Sequence, residues 1–103
     1  MAQRFDLGST SQIPAGEGRN FEVGGCHLAV FHARSGRMFA TQAECPHRGG
    51  PLADGLVGDC VVVCPLHEQR FDLSTGQALA GPCPIQVFPL AVDDDGWMTV
   101  ELP

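Results

Sequence analysis

The chain is 103 residues long, 44% hydrophobic and formally charged -6, which is enough for one domain with its own core and too little for a second catalytic domain. Twelve acidic residues stand against six arginines and no lysine, which argues against nucleic acid, whose phosphates call for a basic face. No apolar run approaches the roughly 20 residues of a membrane helix, and Met1 to Asp6 has neither an apolar core nor a small-residue cleavage site, so a cytoplasmic protein with no membrane partner is expected.

Short runs separated by Gly, Pro, Asn and Asp, with no 3.6-residue apolar period, predict an all-β domain. Gln3 to Leu7 reads as a first strand. Ile13-Pro14-Ala15-Gly16-Glu17-Gly18 turns the chain, Arg19 to Val23 extends again, and Gly24-Gly25 is a two-residue hairpin signal from which Cys26 to His32 returns. Ser35-Gly36 marks the next turn, and Met38 to Thr41 a fourth strand. Further on, Leu56-Val57 and Cys60 to Val63 are joined at Gly58-Asp59, and Arg70 to Leu73 runs into the turn Ser74-Thr75-Gly76. Ile85 to Val92 and Trp97 to Leu102 close as a last hairpin around Asp93-Asp94-Asp95-Gly96. The acidic trio lacks the twelve-residue calcium pattern and reads as turn chemistry. Trp97 is expected to anchor the core or an edge. His27 and His32 lie five residues apart on one strand, on opposite faces, and are badly placed to share a metal.

The chemistry concentrates in two stretches, Cys45-Pro46-His47-Arg48-Gly49-Gly50-Pro51-Leu52 and Cys64-Pro65-Leu66-His67. Each offers one thiolate and one imidazole, and the sixteen residues from Arg48 through Val63 allow two loops to close over one metal centre. Two Cys and two His suit a mononuclear zinc or a two-iron cluster. Zinc fingers pair like with like along the chain, however, and here each loop mixes the two. Glycines at Gly49-Gly50 let backbone approach a metal closely, and Pro46, Pro65 and Pro51 restrict the loops before it binds. Five cysteines do not read as a disulfide framework without a secretory context. Cys26 and Cys60, in or beside apolar runs, are expected as small buried hydrophobes, and Cys83 as a loop residue.

The C-x-H plus C-x-x-H pair resembles the Rieske iron-sulfur family. The resemblance implies an antiparallel β-sandwich base with an inserted cluster-binding subdomain, about residues 43–70, within a single domain 1–103. It implies one [2Fe-2S] cluster per chain, held by Cys45 and Cys64 on one iron and by His47 and His67 on the other. In the family the two His lie near the surface and pass the electrons. Pro46, Arg48, Gly49, Pro65 and Leu66 then become cluster-loop and docking candidates, with Pro46, Pro51 and Leu66 as an apolar rim and Arg48 as a charge beside it. High-potential members also carry a disulfide between the loops and hydroxyls that donate to the cluster. The corresponding positions here are Gly50 and Leu66, and Gln69 and Phe71, none of which can supply these features. A potential toward the low end of the range for such centres, roughly -150 mV, is expected.

Within the family, a terminal oxygenase would need a mononuclear iron on a further domain, and a respiratory subunit a membrane anchor and the loop disulfide. Two roles remain, and both are electron carriers and not themselves enzymes. The tail Cys83-Pro84-Ile85-Gln86-Val87-Phe88-Pro89-Leu90 is similar to stand-alone ferredoxins that link a flavin- or NAD(P)H-dependent reductase to the terminal oxygenase of an aromatic-ring dioxygenase system. His67-Glu68-Gln69-Arg70-Phe71-Asp72-Leu73, with Gly55-Leu56-Val57-Gly58-Asp59, looks closer to the small subunit of NAD(P)H-dependent nitrite reductase, which partners a large subunit. The ferredoxin role is the one expected. A zinc-stabilised interaction module, which would be colourless, is the non-redox alternative.

Overall fold

The computed structural model describes residues 3–46, 50–65, 69–81 and 83–103. Among them run eleven strands: β1 (Gln3–Ser9), β2 (Glu17–Val23), β3 (Cys26–His32), β4 (Met38–Gln42), β5 (Leu56–Val57), β6 (Val61–Val63), β7 (Arg70–Asp72), β8 (Ala78–Ala80), β9 (Val87–Phe88), β10 (Leu90–Val92) and β11 (Trp97–Leu102). Two single turns of 3-10 helix, Thr10–Gln12 and Leu52–Asp54, complete the regular structure. No helix among the described residues is long and apolar enough to cross a membrane.

The strands form three antiparallel sheets, ordered β1-β11-β10, β2-β3-β4-β9 and β5-β6-β7-β8. β3 explains how they stack. Leu28, Ala29, Val30 and Phe31 are all fully buried, although an antiparallel strand with one wet face should alternate. Leu28 and Val30 point to one core, with Ala40, Met98, Val100 and Leu102. Ala29 and Phe31 point to a second, with Leu52, Val62, Phe71, Cys45 and Cys64. The sheet containing β3 is therefore the middle layer: the terminal strands cover one face and the subdomain of β5 to β8 the other. This is the antiparallel all-β architecture that the resemblance implied, with the sheet of β5 to β8 running on to Ala80, past the expected subdomain bound of about residue 70.

Close approach of that subdomain depends on Gly18 in β2. A Cβ at Gly18 would lie 2.8 Å from the Phe31 ring and 3.1 Å from the Ala53 carbonyl, so only glycine lets the Leu52–Asp54 turn settle against β2 and β3. The Gly24-Gly25 turn, with φ of 55° and 78°, takes the left-handed conformations of a tight hairpin, and Val23 pairs with Cys26 across it.

Several expectations are corrected. Ile85 to Val92 is not one strand: β9 pairs with β4, and β10 with β11. Pro89 lies at the break, where it has no N-H to extend a ladder, while its carbonyl accepts from the Glu101 N-H at 2.9 Å. β8 was not foreseen. Trp97 is 47% exposed, because Met98, Val100 and Leu102 take the inward positions of β11 and alternation turns Trp97 outward. Cys26, beside the hairpin turn, is exposed, and Cys60 only half-buried.

Candidate metal centre

Two hairpins with a common closure build the site. In the first, Leu52 N-H donates to the Ala43 carbonyl at 3.1 Å, Glu44 bridges to Pro51, and Cys45 N-H donates to the Gly50 carbonyl at 2.7 Å. In the second, Val63 pairs with Arg70, and Cys64 N-H donates to the Gln69 carbonyl at 2.7 Å. Each loop is thus pinched at its base by a cysteine N-H bonded to the carbonyl five residues on. Sequence spacing alone points to two loops, and the structure shows that each is closed in the same way.

The two sulfur-bearing residues point the same way. Cys45 is 2% exposed and Cys64 1%, and both belong to the apolar cluster that contains Phe31, Leu52, Val62, Phe71 and Leu73. Pro46 and Pro65, the next residue in each loop, are exposed, as is Pro51. Each buried cysteine is therefore followed directly by an exposed proline. His47, Arg48, Gly49, Leu66 and His67 lie outside the described residues, so both imidazole positions and part of the expected rim are not among what the structure describes.

From sequence, Gln69 signals only the absence of a hydroxyl. In the structure it is 9% exposed, and the Cys45 thiol donates to its Oε1 across 3.4 Å. Its position was legible by alternation: Gln69, Phe71 and Leu73 all face inward, so a carboxamide at the first of these had to meet the core beside the loops.

The flanks mix apolar and polar groups. Beside Cys64 a groove is lined by Leu56, Val63, Pro65, Arg70 and Ala80, and Leu56 is 77% exposed. On the other side of the subdomain, Arg37 Nη1 donates to Cys60 Sγ at 3.2 Å and stacks over the Phe39 ring at 5.0 Å. Cys83 is exposed. Asp93 Oδ1 accepts from the Asp95 and Trp97 N-H groups, both at 2.9 Å, which is the turn chemistry expected of the acidic trio. His27 is exposed, whereas His32 is half-buried with its Nδ1 2.7 Å from the Ile13 carbonyl.

Two soft sulfur donors, buried in one apolar cluster on loops closed in the same way, suit an iron-sulfur unit. As thiolates in an apolar wall they would need cationic compensation, which a bound metal would supply.

The Rieske [2Fe-2S] domain profile matches residues 3–91. The NAD(P)H nitrite reductase of Emericella nidulans is 38% identical over 102 residues, covering 87% of this chain, although the chain spans only 9% of that protein's length. The ferredoxin component of the naphthalene 1,2-dioxygenase/salicylate 5-hydroxylase systems of a Ralstonia species is 31% identical over 92 residues, covering 87% of this chain and 88% of that protein. Among solved structures, one assigned as an NADH-dependent nitrite reductase small subunit from Mycobacterium tuberculosis superposes with a TM-score of 0.91, covering 100% of this chain and 97% of that chain. At 24% identity, that last likeness is one of fold.

Proposed function

The chain belongs to the Rieske [2Fe-2S] domain family, and from that premise we propose that it is a single-electron carrier whose cluster is held by Cys45, His47, Cys64 and His67, serving a terminal aromatic-ring oxygenase. Its cofactor is a [2Fe-2S] cluster. When bound, the cluster takes up and releases one electron at a time.

The observation that carries the reading is the pair of matched loops, each pinched by a cysteine N-H, with both sulfurs buried in one apolar cluster. The chain's own residues then have separate tasks. Phe31, Leu52, Val62, Phe71 and Leu73 exclude water from the sulfurs, which protects a site that solvent would otherwise hydrolyse and strengthens every local electrostatic contact. The closures at Gly50 and Gln69 fix the cysteine backbones before metal binds. Exposed Pro46 and Pro65, with the groove at Leu56, form a small, largely apolar landing area of the kind that suits brief electron-transfer encounters. With no hydroxyl at Phe71 and no loop disulfide partner at Gly50, the midpoint potential lies in the lower part of the range for such centres, below about +100 mV.

The match to a ferredoxin component over 88% of its length supports an oxygenase system with its own reductase. The 38% identity to a nitrite reductase supports the second reading, a nitrite reductase small subunit docked on a large one. The test is electron delivery. Under the first reading, the protein, reduced through a flavin reductase, reduces an oxidised terminal oxygenase in a single turnover, and does nothing for nitrite reduction. Nitrite-dependent NAD(P)H oxidation restored in a large subunit lacking its small one would establish the second reading instead.

A further inference from the structure

Gln69 is tied to both metal loops at once. Its carbonyl accepts from the Cys64 N-H at 2.7 Å, which locks its backbone to the second loop, while its side chain reaches the Cys45 sulfur of the first. Behind it stands Gly81, at φ +129°. A Cβ there would lie 3.0 Å from Gln69 Cδ, 3.1 Å from Cγ and 3.2 Å from Oε1. The carboxamide is therefore held between the Gly81 backbone and the Cys45 sulfur, at a position only 9% exposed.

We propose that Gln69 is a potential-tuning residue, whose carboxamide turns to donate an N-H to the Cys45 sulfur once that sulfur is a metal-bound thiolate. The inference rests on Cys45 being a cluster ligand. A thiol offers a proton and so faces Oε1. A metal-bound thiolate has lost that proton and can only accept. Among side chains, a carboxamide meets both demands without moving its backbone, because a half-turn about its last torsion, which is broad and two-fold, exchanges O for NH2. An N-H aimed at the thiolate is a charge-assisted bond and strengthens as negative charge grows. Reduction adds one electron to the group that Cys45 ligates, so the bond stabilises the reduced form more and raises the potential. Phe71, two residues on and facing the same way, has no polar atom to offer.

Gln69→Met keeps the length and apolar fit of the side chain and removes the donor. The cluster-loaded variant is expected to be about tenfold harder to reduce, which for one electron is about 59 mV more negative. Reduced wild-type protein made with glutamine labelled with 15N at the side-chain amide should show 15N coupling to the cluster's electron spin. This measurement stands alone if the variant fails to load. Gly81→Ala, whose Cβ would meet the Gln69 carboxamide at 3.0 Å from Cδ and so disturb its seat against the sulfur while leaving its chemistry intact, should also move the midpoint away from wild type. A Gln69→Met midpoint equal to wild type, or wild-type protein without the coupling, would overturn the proposal. If Cys45→Ser keeps the wild-type spectrum, the ligand assignment itself fails, and the inference with it; that result is distinct from an unchanged Gln69→Met midpoint in a protein whose Cys45→Ser form loses the cluster.

Discussion

Asp72 shows how single side chains hold the subdomain in shape. Its Oδ1 accepts from the Ser74 N-H at 2.8 Å and the Ser74 hydroxyl at 2.6 Å, closing the turn from β7 to β8. The Ser74 hydroxyl foremost, then the Ser74 N-H, hold the carboxyl below its ordinary 3.8 against the opposing effect of burial, with lesser help from the Thr75 N-H and Arg37. A carboxylate lowered in the folded state stabilises fully above its unfolded pKa, and that contribution fades as pH falls through the lower folded value. The advantage of wild type over Asp72→Asn in urea denaturation should therefore be constant near neutrality and shrink below about pH 4, whereas a gap that stays level into acid would contradict it. Asp72→Ala, which also loses the turn bonds, should cost about 1 kcal/mol at neutral pH. At this scale the sequence was most legible where chemistry lies in residue type. Cys45 and Cys64 stand out by spacing with His47 and His67. Burial was harder to read: Cys26 has the same side chain, yet its place beside a hairpin turn leaves it exposed.

Among the elements, hairpins with glycine turns were readable because Gly24-Gly25 and Asp95-Gly96 demand particular backbone angles that few other residues allow. The run from Ile85 to Val92 misled because its composition is continuous while its hydrogen bonds are not. One proline moved the chain from the middle sheet to the outer one. β8 escaped notice because Ala78-Leu79-Ala80 is short and weak in β-propensity, and is held by pairing with β7. The layer contact at Gly18 was likewise invisible, since a glycine near a turn looks like any other turn-former. Gly18→Ala should overpack Phe31 and the Ala53 carbonyl and cost about 1–3 kcal/mol. Thermal unfolding measures this directly, and a variant as stable as wild type would mean that the subdomain does not sit as tightly on β2 as the distances require.

As a whole, the molecule is a base that carries two buried sulfurs on paired loops and leaves the prolines above them open. Acidic residues outnumber basic ones over the chain, but near Cys64 the exposed groups include Leu56, Pro65 and Arg70, so docking there should rely on apolar contact more than on the net charge of -6. Leu56→Ser should raise the half-saturating concentration for the electron acceptor several-fold while leaving the midpoint potential and spectrum unchanged, because Leu56 lies on the outer face of the subdomain and not among the buried residues around the sulfurs. Equal half-saturation in steady-state transfer would place the docking face elsewhere.

The most direct test of the central assignment is a paired ultraviolet-visible and low-temperature electron paramagnetic resonance measurement on the purified protein, before and after dithionite. Ligation by Cys45, His47, Cys64 and His67 predicts a brown protein whose reduced signal has an average g below that of all-cysteine [2Fe-2S] clusters. A colourless, zinc-containing protein that gains no colour on anaerobic reconstitution with iron and sulfide, or a reduced signal with the average g of all-cysteine ligation, would contradict it.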